Sequence, residues 1–311
     1  MIEQLDIEGY RGIARGTLSE LMPLNILVGP NNSGKSSVLE ALLIADARGG
    51  GEGLLFAARH RGWAGPATIA AMFSGQARLS ITRNGKVFQG KLSSSAPGTV
   101  EFSNTGGASA HATIHNGGSG YSGGTEFKPT FIETSSPGTD PDKLDAAVSR
   151  ADLQGERQAL IALLQPLLPG LRDLRILQSD GQYSLFVEDD TGHPWPAVVA
   201  GDGFKRLILL ASQIAADQSG LVLLEEPETF LHVGALAQVA KVLWQAIGKK
   251  QLVITTHSLE LIDAIFESPS AQPDKAALYR MSLRKGELKA VRVPGMRAKE
   301  LRAEIGEDLR R

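Results

Sequence analysis

Along most of this chain, short unbroken apolar runs alternate with longer stretches in which apolar positions recur at helical steps, the pattern of an α/β sheet covered by helices. Leu24 to Val28 (LNILV), Leu221 to Leu224 (LVLL) and Leu252 to Thr255 (LVIT) are aliphatic or β-branched without alternation. Strands buried on both faces of a parallel sheet read this way. Helices are expected over Ser37 to Ala47, with Val38, Leu39, Leu42 and Leu43 on the apolar side, and over Phe204 to Ala216, with Leu207, Leu210, Ala211 and Ile214. Leu236 to Ile247 supplies the helix that crosses from the second buried strand to the third.

Hairpin signals lie between these units. Arg78 to Thr82 and Lys86 to Gln89 flank Asn84-Gly85, a pair that suits a type I′ turn. Asp173 to Gln178 and Tyr183 to Glu188 flank Ser179 to Gly181 in the same way. Pro141 to Leu168 has helical spacing and is ended by Pro169 and Gly170. Beyond Ser270 the chain turns polar and mildly basic, with Ala277 to Met281 and Glu287 to Val293 expected as edge strands.

The 35 Gly residues concentrate in two places, Gly49 to Gly53 and the stretch from Ser93 to Gly124. The second offers almost no continuous apolar face to offset its ordering entropy, so a long mobile loop or weakly held hairpins are expected there. A single domain over residues 1–311 is therefore expected, with a Gly/Ser-rich flexible insertion at about 90–126 and a short helical segment at about 141–169. Thirty-two Lys and Arg against 34 Asp and Glu give a net charge of -2, so no bulk positive field draws the protein to nucleic acid or anionic lipid. The chain has no Cys, its start MIEQLDIEGYRG lacks the form of a signal peptide, and no apolar run approaches a membrane span. A soluble cytoplasmic protein without membrane insertion is the expectation.

Against this background, one motif carries chemistry at once. Gly29-Pro30-Asn31-Asn32-Ser33-Gly34-Lys35-Ser36 fits GxxxxGKS between an apolar strand and a helix. Its glycines let backbone N–H groups turn inward around phosphate oxygens, and the helix N-terminus adds its unpaired donors. Lys35 is expected to reach the β and γ phosphates, Ser36 to ligate Mg²⁺, and Ser37 to help hold the α phosphate. LVLLEEPE, at 221 to 228, adds two acids at the end of a buried strand: Glu225 on the magnesium side and Glu226 as the general base. The third buried strand ends in Thr255-Thr256-His257-Ser258; taken alone, this His reads as structural, but beside the other motifs it reads as a contact for the γ phosphate or the attacking water that reports whether the phosphate is present. Gly201-Asp202-Gly203 opens a helix and exposes backbone donors to an anion, acting in trans in a head-to-tail pair or serving simply as an N-cap.

In this order the phosphate loop (GPNNSGKS), glycine signature (GDGFKR), acidic strand end (LVLLEEPE) and histidine (TTHS) resemble the ABC-type ATPase head. Within that group they are most similar to AAA-type proteins related to the OLD family and to RecF, Rad50 and SMC heads. The start MIEQLDIEGYRGI followed by LNILVGPNNSGKSSVLEAL is similar to the OLD-like opening. This resemblance implies a P-loop NTPase with a mostly parallel core sheet and an N-terminal antiparallel β lobe. It also implies ATP and Mg²⁺ as ligands, with Lys35, Glu226 and His257 catalytic, Ser36 and Glu225 on the metal, and Gly201 to Gly203 acting across a dimer. Tyr10 and Arg11 stand near the base side in similar ATPases, which suggests contact with adenine or ribose. Three departures stand out: Gly201 takes the place of the signature serine, Glu225 that of an aspartate, and Gln76 and Gln89 match a Q-loop glutamine by position alone.

OLD-type proteins continue past the histidine into a nuclease domain, whereas 54 residues follow His257 here, so any nuclease is expected from a partner chain. Arg280, Arg284, Lys285, Lys289, Arg292, Arg297, Lys299 and Arg302 make the end of the chain locally basic, a solvated surface or a contact for DNA phosphate. Two function classes follow from the motifs. One is an ATP-driven homodimer that switches a separate effector or grips nucleic acid, as in phage defence or repair. The other is the ATP-binding subunit of a membrane transporter, or a regulatory module with little turnover.

Overall fold

The computed structural model describes residues 1–46, 76–96, 99–105, 111–115, 118–122, 130–133, 140–179 and 181–310. The glycine cluster at Gly49 to Gly53 lies outside them, as do residues 97–98, 106–110, 116–117 and 123–129 of the Gly/Ser-rich stretch.

The chain opens with β1 (Ile2–Tyr10), β2 (Ile13–Leu18) and β3 (Leu24–Val28), and the phosphate loop leads into α1 (Lys35–Ala45). Then come β4 (Gln76–Arg83), β5 (Lys86–Ala96), β6 (Thr99–Thr105), β7 (His111–His115), β8 (Gly118–Ser122) and β9 (Thr130–Glu133). The middle holds α2 (Pro141–Leu153), α3 (Arg157–Leu164), β10 (Asp173–Ser179), β11 (Gln182–Glu188) and β12 (Trp195–Pro196). The remainder alternates α4 (Asp202–Ala216), β13 (Leu221–Glu225), α5 (Val233–Ala246), β14 (Gln251–Thr255) and α6 (Leu259–Glu267), and ends in β15 (Ala276–Arg284), β16 (Glu287–Pro294) and α7 (Gly295–Ile305).

Most of these strands join one sheet in the order β8-β7-β6-β5-β4-β1-β2-β16-β15-β3-β14-β13-β9. From β15 to β9 the pairs are parallel; from β8 to β2 they are antiparallel. The mixed α/β architecture expected from the apolar runs is thus present, with the antiparallel lobe continuous with the core. The Asn84-Gly85 hairpin forms with both residues at positive φ, 50° and 70°, as a type I′ turn requires. The described parts of the Gly/Ser-rich stretch extend this lobe as a meander from β5 to β8.

The expectation of edge strands near the end of the chain is overturned. The strands at Ala277 to Met281 and Glu287 to Val293 are interior strands: β15 pairs in parallel with β3, and β16 pairs with β2. They couple the parallel core to the lobe. Polarity near the end of the chain suggested an edge, but the burial pattern BBBBiBiie of β15 shows its first half enclosed on both faces. Four of the eight basic side chains there are engaged by acids of the same chain: Arg280 with Glu307, Arg292 with Glu20, Arg297 with Glu300, and Arg302 with Asp263.

The strict alternation of a strand divides the core in two. Leu24, Ile26, Val222, Leu224, Leu252, Ile254 and Leu278 face one cluster, packed by helices α2 to α7. Leu27, Leu221, Leu223, Val253, Ala277 and Tyr279 face the other, built with α1 and the lobe. Covered on both faces, the central strands need no polar side, which explains their unbroken apolar sequence. Helix α1 is likewise buried nearly all round, so its sequence shows no polar stripe. Its buried Glu40 accepts from Arg11 Nη1 at 2.6 and 2.7 Å and from the Tyr10 hydroxyl at 3.1 Å, fixing the helix to the lobe. Tyr10 is fully buried in that role, so the expectation that it contacts a base or ribose is overturned. Among the described residues, no helix is long and apolar enough to cross a membrane.

Candidate functional site

The carboxyl ends of β3, β14 and β13 stand side by side, since β14 pairs in parallel with both neighbours. Ligand sites of open α/β sheets lie at such strand ends. The chain leaving β3 forms the phosphate loop, Gly29 to Ser36. Gly29 has φ 150°, and a Cβ there would lie 2.4 Å from the Met281 carbonyl oxygen of β15. A side chain at this position would push the loop off the sheet. Gly34, at φ 92°, caps α1 in the left-handed region and turns the loop into the helix.

Lys35 is buried, and its ammonium donates to the Gly29 and Pro30 carbonyls at 2.9 and 3.0 Å. Burial pushes its pKa down, while the nearby carboxylates of Glu226 and Glu225 push it up. Inside the loop the Ser33 hydroxyl is buried without a hydrogen-bond partner. Asn31 and Asn32 are exposed, Asn32 at φ 61°, and Ser36 and Ser37 follow Lys35 in the first turn of α1.

Glu225 closes β13 and is buried. Glu226 leaves the strand at φ 48°, a left-handed conformation that costs a non-glycine residue on the order of 1 kcal/mol. Its backbone N–H still donates to Thr255, at 3.1 Å to the carbonyl and 3.2 Å to the hydroxyl. A continued strand would send these two consecutive carboxylates to opposite faces of the sheet; the left-handed turn breaks that alternation, and both act on Lys35. Glu226 then stands with its Oε1 3.5 Å from His257 Nε2. Burial first, then the cation of Lys35, lowers the His257 pKa; Glu226 opposes them and Arg310 adds to the lowering. The imidazole is thereby biased toward its neutral form, able to accept a hydrogen bond.

Lys35, Glu225, Glu226 and His257 are therefore brought together. Gly201, Asp202 and Gly203 are not part of this cluster. They form the start of α4, where Gly201 and Gly203 line a separate groove with Trp195, Phe204 and His232. Lys205 is held by Asp202 at 2.8 Å, and the Arg206 guanidinium lies 4.5 Å from the centre of the Phe230 ring. Both cations are thus turned toward their own chain. Gln76 and Gln89 sit on the β4–β5 hairpin of the lobe, opposite Ser93 and Ser80.

One residue of the site was missed in the sequence. Glu228, the last acid of EEPE, accepts from the Thr256 hydroxyl at 2.5 Å and from the His257 backbone N–H at 3.1 Å. It ties the turn after β13 to the turn after β14 and so sets the spacing of Glu226 and His257. Its Oε2 is buried with no partner, and burial raises its pKa despite those hydrogen bonds. The signal was present in the repeated acid three residues past the strand, within reach of the neighbouring strand end.

Comparison with known proteins agrees with this geometry. Residues 119–263 match the family model described as "AAA domain, putative AbiEii toxin, Type IV TA system", and residues 1–47 match the "AAA ATPase domain" model. The uncharacterised protein MJECL11 of Methanocaldococcus jannaschii is 30% identical over 112 residues, which span 35% of this chain and 98% of that one. A second protein of that organism, MJECL10, is 40% identical over 78 residues, 24% of this chain and 36% of its own length. Among solved structures, the SMC head domain from Thermotoga maritima is 14% identical with a TM-score of 0.54, covering 94% of this chain and 98% of that one. An SMC head bound to the C-terminal winged-helix domain of ScpA is 15% identical with a TM-score of 0.63 and the same coverage. The chain belongs to the AAA-type ATPases and has the P-loop fold of an ABC-type ATPase head, the fold shared with SMC.

Proposed function

We propose that this chain binds ATP with Mg²⁺ at the Gly29 to Ser37 loop, hydrolyses it, and pairs head to tail with a second copy when the nucleotide is bound. The carrying observation is the convergence of Lys35, Glu225, Glu226 and His257 at adjacent strand ends.

The residues fit a triphosphate. Gly29 leaves no room for a side chain, the Ser33 hydroxyl is buried without a partner, and Lys35 rests on two carbonyls that a phosphate would replace as a partner of its ammonium. Among the described residues no three His, Cys, Asp or Glu side chains gather into a metal cage. Ser36 and Glu225 would therefore hold Mg²⁺ only together with phosphate oxygens, as in other P-loop sites. The ion, when bound, neutralises charge on the β and γ phosphates.

In this reading Glu226 orients and deprotonates the attacking water, Lys35 steadies the phosphate oxygens, and His257, kept neutral, donates its one ring N–H to an oxygen on the γ-phosphate side. Glu228 positions Glu226 and His257 by holding the turns that carry them. The separation of Gly201 to Gly203 from the phosphate loop within one chain supports their use in trans, where the open start of α4 meets the nucleotide of the second copy. Nucleotide-dependent pairing then suits the protein to switch a separate effector, such as a nuclease, or to act on DNA. The transporter reading gains no support from the site.

Sedimentation of Glu226→Gln with ATP and Mg²⁺ tests this. A dimer should accumulate while turnover falls about 10² to 10³-fold. A variant that stays monomeric under saturating nucleotide refutes the paired site. Lys35→Ala should abolish both binding and pairing.

A further inference from the structure

The mouth of the phosphate loop has a wall that none of the motifs supplies. Gly306, at φ 60°, ends α7 and turns the chain, and Leu309 is fully buried, anchoring the segment that follows. Asp308 and Arg310, on either side of that anchor, line a cavity of about 340 Å³ together with Gly29, Pro30 and His257. Arg310 is held on three sides. Its Nε and Nη2 donate to Asp308 Oδ1 and Oδ2 at 2.8 and 2.9 Å, and its Nη1 donates to the His257 carbonyl at 3.2 Å. A guanidinium carries five N–H groups, so this arrangement fixes the group and leaves two for a ligand.

The side chain is only partly covered, at 39% exposure, and its ion pair with Asp308 contributes little to stability at such an exposed position. Fold stability alone gives a weak reason for this fork at the loop entrance. Its neighbours give a stronger one: His257, whose imidazole faces Glu226 at 3.5 Å, and Gly29 and Pro30 of the phosphate loop line the same cavity as Arg310. A planar fork with two remaining donors is suited to a phosphate oxygen pair, which Lys35, a point charge, cannot grip in the same way.

We propose that Arg310 is a nucleotide-contacting residue, supplied by the 306–310 segment of the same chain and aimed by Asp308 at the terminal phosphate of a nucleoside triphosphate. The inference rests on the reading of the site as a nucleotide site. It assigns to this segment the discrimination of triphosphate from diphosphate.

Equilibrium binding of a non-hydrolysable ATP analogue and of ADP, each with Mg²⁺, is to be measured on the full chain and on Lys35→Ala, Arg310→Ala and Arg310→Lys. Arg310→Ala should weaken the analogue about tenfold or more, the loss of one charge-assisted contact, and change ADP by less than about twofold. Arg310→Lys, which keeps the charge and the stem, should fall between that variant and the parent. Equal loss for both nucleotides, or none for either, overturns the proposal. Lys35→Ala separates the two levels of inference: if it binds both nucleotides as the parent does, the nucleotide-site reading itself fails, whatever Arg310 does.

Discussion

The two ends of the strands β13 and β14 are built on opposite principles. At their amino ends Asp217, Ser219, Lys250 and Gln251 all have hydrogen-bond partners. Asp217 accepts from the Ser219 hydroxyl at 2.7 Å and from the Gly220 N–H at 3.0 Å. Gln251 accepts from the Ile2 N–H and donates to the Ile2 carbonyl, both at 2.8 Å, and Lys250 donates to the carbonyls of Ile214 and Ala215 at the end of α4. At the carboxyl ends the Ser33 hydroxyl and Glu228 Oε2 are buried without partners, Glu226 is held left-handed, and Lys35 is desolvated beside two acids. Buried polar groups are nearly always hydrogen-bonded, so two orphaned oxygens beside a left-handed carboxylate residue and a desolvated lysine mark a place where the fold gives up stability for chemistry.

Substitutions can break this contrast, and the largest effect is expected at the satisfied end. Asp217→Ala strands the Gly220 N–H and the buried Ser219 hydroxyl, and should lower unfolding free energy by about 3 kcal/mol while leaving nucleotide affinity unchanged. Gln251→Ala removes the clamp on β1 and should cost about 2 kcal/mol, read by denaturant midpoint. At the other end, Glu228→Gln should stabilise rather than destabilise. The raised pKa of Glu228 means that its contribution to stability is fullest in acid, below its unfolded value, and is lost as pH rises through the folded one. The gain of the Gln variant should thus be absent in acid and reach about 1 kcal/mol at neutral pH, with a flatter stability profile between. The smallest effect belongs to Glu226→Gly, where relief of the left-handed backbone should return about 0.5 to 1 kcal/mol while turnover is lost. Destabilisation by either substitution at the carboxyl end would erase the contrast.

How much of this was readable beforehand follows from the range of each interaction. The buried strands, α1, α4 and the Asn84-Gly85 turn are written in consecutive residues, and the α/β class follows from them. The phosphate loop was equally legible, because its spacing and its flanking elements are local. The place of β15 and β16 was not. Their identity as interior strands depends on partners such as Ser19, whose carbonyl meets the Tyr279 hydroxyl 260 positions away. Glu228 escaped notice for a different reason: its partner Thr256 becomes visible only once the left-handed turn at Glu226 redirects the chain. The engagement of Tyr10 by Glu40 joins a strand to a buried helix face, and the helix carries no polar stripe that would have announced it.

The central position of β15 and β16 also bears on how the molecule is assembled during synthesis. The phosphate loop strand and the lobe emerge early, yet the seam between β2 and β3 is filled by strands more than 250 residues later in the sequence. Until the ribosome has released that hairpin, β2 and β3 each present an unpaired edge, the kind of surface that invites association with other chains. Closure of the sheet therefore waits for residues 276–294.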